Sequence, residues 1–144
     1  MLRRAYAVWN GGLKSGSGTV SSESMVLSEI PYSFGTRFED DPGTNPEELI
    51  AAAHAACFSM ALSAELEKAG ATTKNVITAA IVTLQKDAQG FRLSEVHLDV
   101  IAEATSISPE KFAMLAETAK TNCPISKALK VKVTMSAALK QKAA

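Results

Sequence analysis

Alternating hydrophobic and polar positions near the start of the chain predict a β-hairpin. Short strands are expected at residues 6–9 and 18–21, and Asn10-Gly11-Gly12 between them is a turn signal. Residues 28–45 then lose any regular period and hold two prolines and two glycines, so we expect an irregular segment there. A loop of that length in a small domain is usually functional or lies against a partner.

The pattern changes at residue 45, where a helix start leads into a long apolar stretch. Asn45 is a suitable N-cap, Pro46 suits the first helical position, and Glu48 at the third would complete a capping box. The helix is predicted to run to about Lys68, with Gly70 just past its end. Its middle is apolar on all sides, so we expect the helix to be buried on most sides. Because the rest of a 144-residue chain offers limited surface to cover it, we expect the chain to form a dimer around this helix.

The second half of the chain is predicted to begin with a long hairpin. Residues 76–86 and 91–104 form its strands around a turn at residues 87–90. The alternation slips phase near Ser94-Glu95, which predicts a β-bulge.

Two helices and a last strand complete the predicted elements. The helices start at Ser108-Pro109 and Cys123-Pro124, and residues 131–139 alternate as a half-buried strand. Runs of strands followed by separate helices indicate an α+β fold rather than βαβ units.

Composition narrows the class of protein. The chain has 144 residues, of which 47% are hydrophobic and 21% charged, which suits a single soluble domain over residues 1–144. Fifteen basic residues balance fifteen acidic ones, so charge gives no argument for nucleic acid or an anionic membrane as a partner. No signal peptide is evident, and the apolar run at residues 49–64 falls short of the roughly 20 residues that span a bilayer. We therefore expect a cytoplasmic protein with reduced cysteines.

The two cysteines are the candidate nucleophiles. Cys57 lies inside the apolar helix, where a free thiol often packs as a small hydrophobe and, without a nearby cation, is inert. Cys123 precedes a proline at a helix start, where backbone N–H groups and the helix dipole favour a thiolate. Local physics therefore favours Cys123 as the more acidic thiol, with a structural role as the alternative for either residue.

Arg37 and Glu47 are candidates for activating a thiol. Arg37 lies between Phe34 and Phe38, and its guanidinium would lower a thiol pKa and bind a substrate oxygen, whereas a surface arginine is the alternative. Glu47 has no capping task of its own, so it is free to orient Arg37. Glu47 and Cys57 are ten residues apart, about 15 Å of helical rise. If both belong to one site, the carboxylate should come from a second copy of the chain.

Other chemistry has less support. His54 lies three residues before Cys57 on the same helix face. It could form a Cys/His nucleophile pair with Cys57, and the alternative is a histidine that is simply packed or hydrogen-bonded in the core. The two histidines and two cysteines lack compact metal-ligand spacing, and no Gly-rich phosphate loop precedes a helix, so no metal or nucleotide is expected. Four apolar residues are candidates for a substrate pocket, although such residues are more often plain core: Phe34, Phe38, Phe58 and Met60.

Four blocks in order resemble the OsmC/Ohr family, in particular its osmotically inducible protein C branch. The resemblance extends over essentially the whole chain, and the linked blocks are far more specific than any single motif. The blocks are PYSFGTRFE at residues 31–39, GTNPEELI at 43–50, AHAACFSMAL at 53–62 and CPIS at 123–126.

The resemblance implies a bacterial thiol-dependent peroxidase for organic hydroperoxides, acting in oxidative or osmotic stress. It implies an intertwined α+β homodimer, with antiparallel sheets around long central helices and active sites at the subunit interface. Within it, Cys57 would be the peroxidatic cysteine, Cys123 the resolving cysteine, Arg37 the residue that activates the thiolate, and Glu47 its carboxylate partner. These roles reverse the local preference for Cys123 as the attacking thiol.

The implied cycle needs no metal, haem or flavin cofactor. The peroxidatic thiolate attacks the peroxide and becomes a sulfenic acid, and the resolving thiol converts it to a disulfide. An external dithiol, for which the family suggests lipoylated proteins, then reduces the disulfide. The alternative is a non-enzymatic module that binds a lipid-like ligand or senses redox state, with structural cysteines. Such a module should show an ordinary or raised pKa at Cys57.

Overall fold

The computed structural model describes residues 1–140, which form two three-stranded sheets and four helices. The chain divides into two compact units, Met1–Leu49 and the residues from Ile50 onward, and each unit holds one of the sheets. Mixed sheets and helices confirm the α+β class. A single domain over residues 1–144 stays a prediction.

The first unit begins with the hairpin that the sequence predicts. Strands β1 (Ala5–Asn10) and β2 (Ser17–Ser22) are antiparallel, with Val8 opposite Thr19. A third strand, β3 (Ile30–Ser33), pairs with β2 and forms the edge of the sheet.

The prediction of an irregular segment over residues 28–45 is wrong for much of its length. It contains β3 and a short helix, α1 (Phe34–Phe38). Ser33 and Thr36 cap this helix reciprocally, because each side chain accepts a hydrogen bond from the other's backbone N–H, at 3.1 and 2.9 Å. Pro31 is compatible with β3 because that strand lies at a sheet edge.

Helix α2 (Pro46–Lys68) has the predicted bounds. The Asn45 side chain accepts from the Glu48 backbone N–H at 2.9 Å, whereas the Glu48 carboxylate accepts from the Thr44 hydroxyl rather than completing the predicted box. Gly70 follows the helix end with φ of 79°, a conformation that favours glycine.

The burial of α2 differs from the prediction. Its four buried residues, His54, Phe58, Leu62 and Leu66, are spaced four apart and therefore form one stripe along the helix. A single chain thus covers one side of α2, not most sides. At 23 residues the helix is long and apolar enough to cross a membrane, a test that core helices of soluble proteins also pass.

The second unit contains a sheet in the order β4-β5-β6. Strands β4 (Thr72–Asp87) and β5 (Gly90–Thr105) are antiparallel. The register passes from Thr83↔Glu95 to Leu84↔Leu93, so Ser94 is the extra residue of the predicted bulge.

The last strand, β6 (Lys132–Lys140), runs parallel to β5. Helices α3 (Pro109–Asn122) and α4 (Pro124–Ala128) make the crossover between them, so the fold includes a βαβ connection. The prediction of a fold without βαβ units is therefore wrong for this part of the chain. The buried stripe of α2, the inner face of β5 and buried positions of α3 form one core, and Cys123 belongs to it.

Candidate active site

Two thiols far apart in sequence lie side by side in the second unit. The half-buried Cys57 is in the middle of α2, and the buried Cys123 is the residue that ends α3 and precedes α4. Their Sγ atoms are 3.0 Å apart, and both cysteines are free. A disulfide requires about 2.05 Å, so the two sulfurs need to approach by only about 1 Å to form one.

The surroundings of Cys123 make it the more acidic thiol within one chain. Burial raises its pKa, but the hydrogen bond with the Cys57 thiol and those from the Ser126 backbone N–H, the Ser126 hydroxyl and the Ile125 N–H outweigh burial, so the pKa lies below its usual value. This agrees with the expectation from its place before Pro124.

Cys57 has the opposite environment. Burial raises the pKa of its thiol, and the hydrogen bond with Cys123 raises it further. A hydrogen bond from the Ile125 backbone N–H lowers the pKa but does not outweigh these two effects. A thiol in this setting needs a cation beside it to be a thiolate at neutral pH.

The first unit contains a guanidinium–carboxylate pair. The Nη2 atom of Arg37, in the last turn of α1, donates to Oε1 of Glu47 at 2.7 Å, and its Nε donates to Oε2 at 3.1 Å. The side chains are 34% and 13% exposed, so the pair is partly shielded from water. The guanidinium also lies 5.1 Å from the centre of the Phe38 ring. The bidentate contact holds Arg37 in one orientation and leaves part of its fork free for a further ligand.

A largely apolar cavity of about 300 Å³ adjoins Arg37. Phe34 and Phe38 both line it, with ring centres 4.8 Å apart. The other two residues expected at a substrate pocket lie in the second unit, where Phe58 is fully buried in the core and Met60 is 74% exposed. The remaining cavity lining consists of Trp9, Leu13, Tyr32, Ser33 and Pro46.

His54 lies on the buried side of α2 and contacts a residue to which the sequence gave no role. Its Nε2 is 2.8 Å from Oγ of Ser126 in α4. Burial lowers the pKa of His54, so the imidazole is neutral at pH 7. The motif Cys123-Pro124-Ile125-Ser126 was visible in the sequence, but a contact 72 residues away in the chain was not.

The second histidine belongs to a different group of residues. His97 on β5 hydrogen-bonds to Thr134 and Ser136 of β6. Within residues 1–140, no three His, Cys, Asp or Glu side chains are grouped so that they could hold a metal ion.

Comparisons with known proteins agree on one family. The family model described as OsmC-like protein matches residues 38–137. The chain is 46% identical over 138 residues to Peroxiredoxin OsmC of Escherichia coli (strain K12), covering 96% of each chain. It is 30% identical over 126 residues to Organic hydroperoxide resistance protein OhrB of Bacillus subtilis (strain 168), covering 86% of this chain and 90% of that one. The crystal structure of an organic hydroperoxide resistance protein from Elizabethkingia anophelis matches with a TM-score of 0.74 at 27% identity, over 97% of this chain and 99% of that one.

Proposed function

This chain belongs to the OsmC-like family, and from that premise we propose that Cys57 and Cys123 are the reacting thiols of a peroxidase for organic hydroperoxides. The chain is a cysteine-based peroxidase that uses a peroxide and a thiol reductant, as the names of its relatives indicate. Those names favour an enzyme over a binding module with structural cysteines.

The observation that carries the proposal is the 3.0 Å separation of the two sulfurs. A sulfenic acid formed on Cys57 lies beside the Cys123 thiol, so disulfide formation competes well with further oxidation of the Cys57 sulfur. Structural cysteines have no need of this arrangement, because either thiol alone would fill its place in the core.

Cys57 is the peroxidatic cysteine in this proposal, although Cys123 is the more acidic thiol of one chain. The missing cation is Arg37, held by Glu47 at 2.7 Å. Glu47 and Cys57 are separated by about 15 Å of rise along α2, so the Arg37–Glu47 pair of one chain serves Cys57 of a second chain. The proposed enzyme is therefore a homodimer whose sites combine both copies.

The substrate in this proposal is a hydroperoxide with an apolar tail. Arg37 orients the peroxide oxygens, while Phe34 and Phe38 contact the tail in the cavity beside it. A role for Phe58 and Met60 at the same pocket stays a prediction. Cumene hydroperoxide should then react more efficiently than hydrogen peroxide, because hydrogen peroxide gains nothing from an apolar lining.

The catalytic cycle needs no bound cofactor. The Cys57 thiolate attacks the distal peroxide oxygen, an alcohol leaves, and the resulting sulfenic acid condenses with Cys123 to a disulfide and water. An external dithiol, for which we propose a lipoylated protein, reduces the disulfide by exchange. A cytoplasmic location, where reductants keep thiols reduced, suits this cycle.

A thiol count after one equivalent of oxidant tests the proposal. Reduced wild-type protein mixed with stoichiometric cumene hydroperoxide should lose two thiols per chain, Cys57→Ser should lose none, and Cys123→Ser should accumulate a sulfenic acid. If Cys123→Ser instead protects Cys57 from oxidation, the two roles are exchanged. If all three proteins keep their thiols, the peroxidase mechanism is wrong.

A further inference from the structure

A continuous line of hydrogen bonds joins both thiols to the buried histidine. The Cys57 and Cys123 sulfurs are 3.0 Å apart, the Ser126 hydroxyl hydrogen-bonds to the Cys123 sulfur, and Ser126 Oγ lies 2.8 Å from His54 Nε2. The peroxidase chemistry described above uses the two cysteines and leaves His54 and Ser126 without a task.

Packing alone does not account for His54. The ring is fully buried, and within residues 1–140 its Nδ1 atom has no hydrogen-bond partner. A buried polar atom without a partner costs about 1–3 kcal/mol. An apolar side chain of similar volume would avoid that cost, so a function of the imidazole is the better explanation.

The hydrogen bonds fix which way a proton can travel. Burial keeps His54 neutral, and with its proton on Nδ1 the Nε2 atom accepts from the Ser126 hydroxyl. The hydroxyl has one proton, so Ser126 donates either to the Cys123 sulfur, which lowers the pKa of Cys123, or to Nε2. When it donates to Nε2, the Ser126 oxygen can accept from the Cys123 thiol. The titratable groups along this line are the two thiols and His54 itself, and the neighbouring cation on α4, Lys127, is exposed.

We propose that His54, acting through Ser126, takes the proton of Cys123 in the step that closes the disulfide. The inference rests on the proposed function, since it requires a sulfenic acid on Cys57. Nε2 contacts Ser126 and not Cys57, so the first oxidation of Cys57 does not use His54. His54 is therefore a positioning and proton-accepting residue for the resolving half of the cycle.

The step balances within the site. The Cys123 proton passes to Ser126 as the Ser126 proton passes to His54, and the Cys123 thiolate attacks the Cys57 sulfur. The S–S bond forms as the Cys57 S–O bond breaks, so the Cys57 sulfur is reduced and the Cys123 sulfur oxidised. The departing hydroxide takes the proton back from the imidazolium, directly or through Ser126, and leaves as water.

Separating the two oxidation phases tests this proposal. Reduced protein is mixed with one equivalent of cumene hydroperoxide across pH 6–9, with the sulfenic acid trapped by a dimedone probe and the disulfide quantified by mass spectrometry. His54→Gln and Ser126→Ala should form the sulfenic acid at the wild-type rate. They should close the disulfide at least about tenfold more slowly at pH 7, with more sulfinic acid as a result.

The pH profile distinguishes a proton acceptor from a packing residue. The disulfide step of the wild type should be nearly flat above the lowered pKa of His54, whereas in both variants it should rise with pH and approach the wild-type rate as Cys123 ionises by itself. Ser126→Thr, which keeps the hydroxyl, should retain most of the rate. His97→Gln is the matched control, because it removes the histidine on β5 and should change neither phase.

Three outcomes contradict the inference. A disulfide step within about twofold of wild type in both variants, or one slowed by the same factor at every pH, overturns the role of His54 and leaves the peroxidase intact. A Cys123→Ser protein that forms no sulfenic acid overturns the proposed function and the inference together. Ser126→Ala leaves the buried ring in place, so the test does not depend on His54→Gln folding.

Discussion

Cys57 and Cys123 have opposite electrostatic environments, although their sulfurs are 3.0 Å apart. The pKa of Cys123 is lowered chiefly by hydrogen bonds that overcome its burial, and the pKa of Cys57 is raised by burial. In the proposed cycle, Cys123, the resolving thiol, therefore has its pKa lowered within its own chain, whereas Cys57, the attacking thiol, needs a positive charge from elsewhere. This division explains why local sequence rules favour Cys123 as the more acidic thiol, whereas the resemblance to the family assigns the attack on the peroxide to Cys57.

The first prediction concerns the cation. Arg37→Met should leave Cys57 with a pKa raised by burial, and the oxidation of Cys57 at pH 7 should slow about 100-fold, since a neighbouring opposite charge shifts a pKa by about 1–3 units. The rate should then rise about tenfold per pH unit until Cys57 ionises. Stopped-flow oxidation with cumene hydroperoxide measures both effects.

A matched arginine serves as the control for that prediction. Arg92→Met removes a surface cation that pairs with Asp87, and it should leave the rate and its pH dependence unchanged. An Arg37→Met protein with the wild-type pH profile would show that the thiolate is stabilised by some other group.

At the scale of elements, prediction from sequence succeeded where one local signal was strong. The bounds of α2 and the bulge at Ser94 follow from capping residues and from the two-residue period of a strand. The short helix α1 was missed because prolines and glycines around it were interpreted as loop signals, although Ser33 and Thr36 carry its cap. The parallel pairing of β6 with β5 is long-range and has no local signal at all.

If Arg37 serves the proposed site, the cap of α1 should affect activity, because α1 carries Arg37. Ser33→Ala removes the acceptor for the Thr36 N–H, which typically costs about 1 kcal/mol, and frays a helix of only five residues. The oxidation of Cys57 should slow several-fold.

Ser108→Ala is the matched control, because it removes the equivalent side-chain acceptor at the N-cap of α3. It should lower the free energy of unfolding by a similar amount without slowing the oxidation of Cys57. Urea unfolding and stopped-flow oxidation give the two values, and equal slowing in both variants would contradict a positioning role for α1.

At the scale of the whole molecule, the single chain leaves much of α2 without cover. Only the stripe from His54 to Leu66 is buried, and Met60 on the same helix is 74% exposed. Burying apolar surface at about 25 cal/mol per Å² is the main gain in association, so the exposed sides of α2 support the proposed homodimer. The apolar composition of α2 predicted a helix buried on most sides, and in the homodimer that we propose the second copy would cover the sides that one chain leaves exposed.

Complementation between two inactive variants tests whether the second copy also completes the site. Cys57→Ser and Arg37→Met chains should each have little or no peroxidase activity alone. In a dimer with one chain of each kind, the Cys57→Ser chain supplies Arg37 and Glu47 to the intact Cys57 of the Arg37→Met chain, which restores one of the two sites. Random re-pairing makes half of the dimers mixed, so the refolded mixture should recover about a quarter of the wild-type activity per chain.

Light scattering after size exclusion checks that the mixture is dimeric, and the two proteins mixed without refolding provide the baseline activity. A site formed within one chain would give no recovery, because every chain in the mixture lacks one of its own two residues.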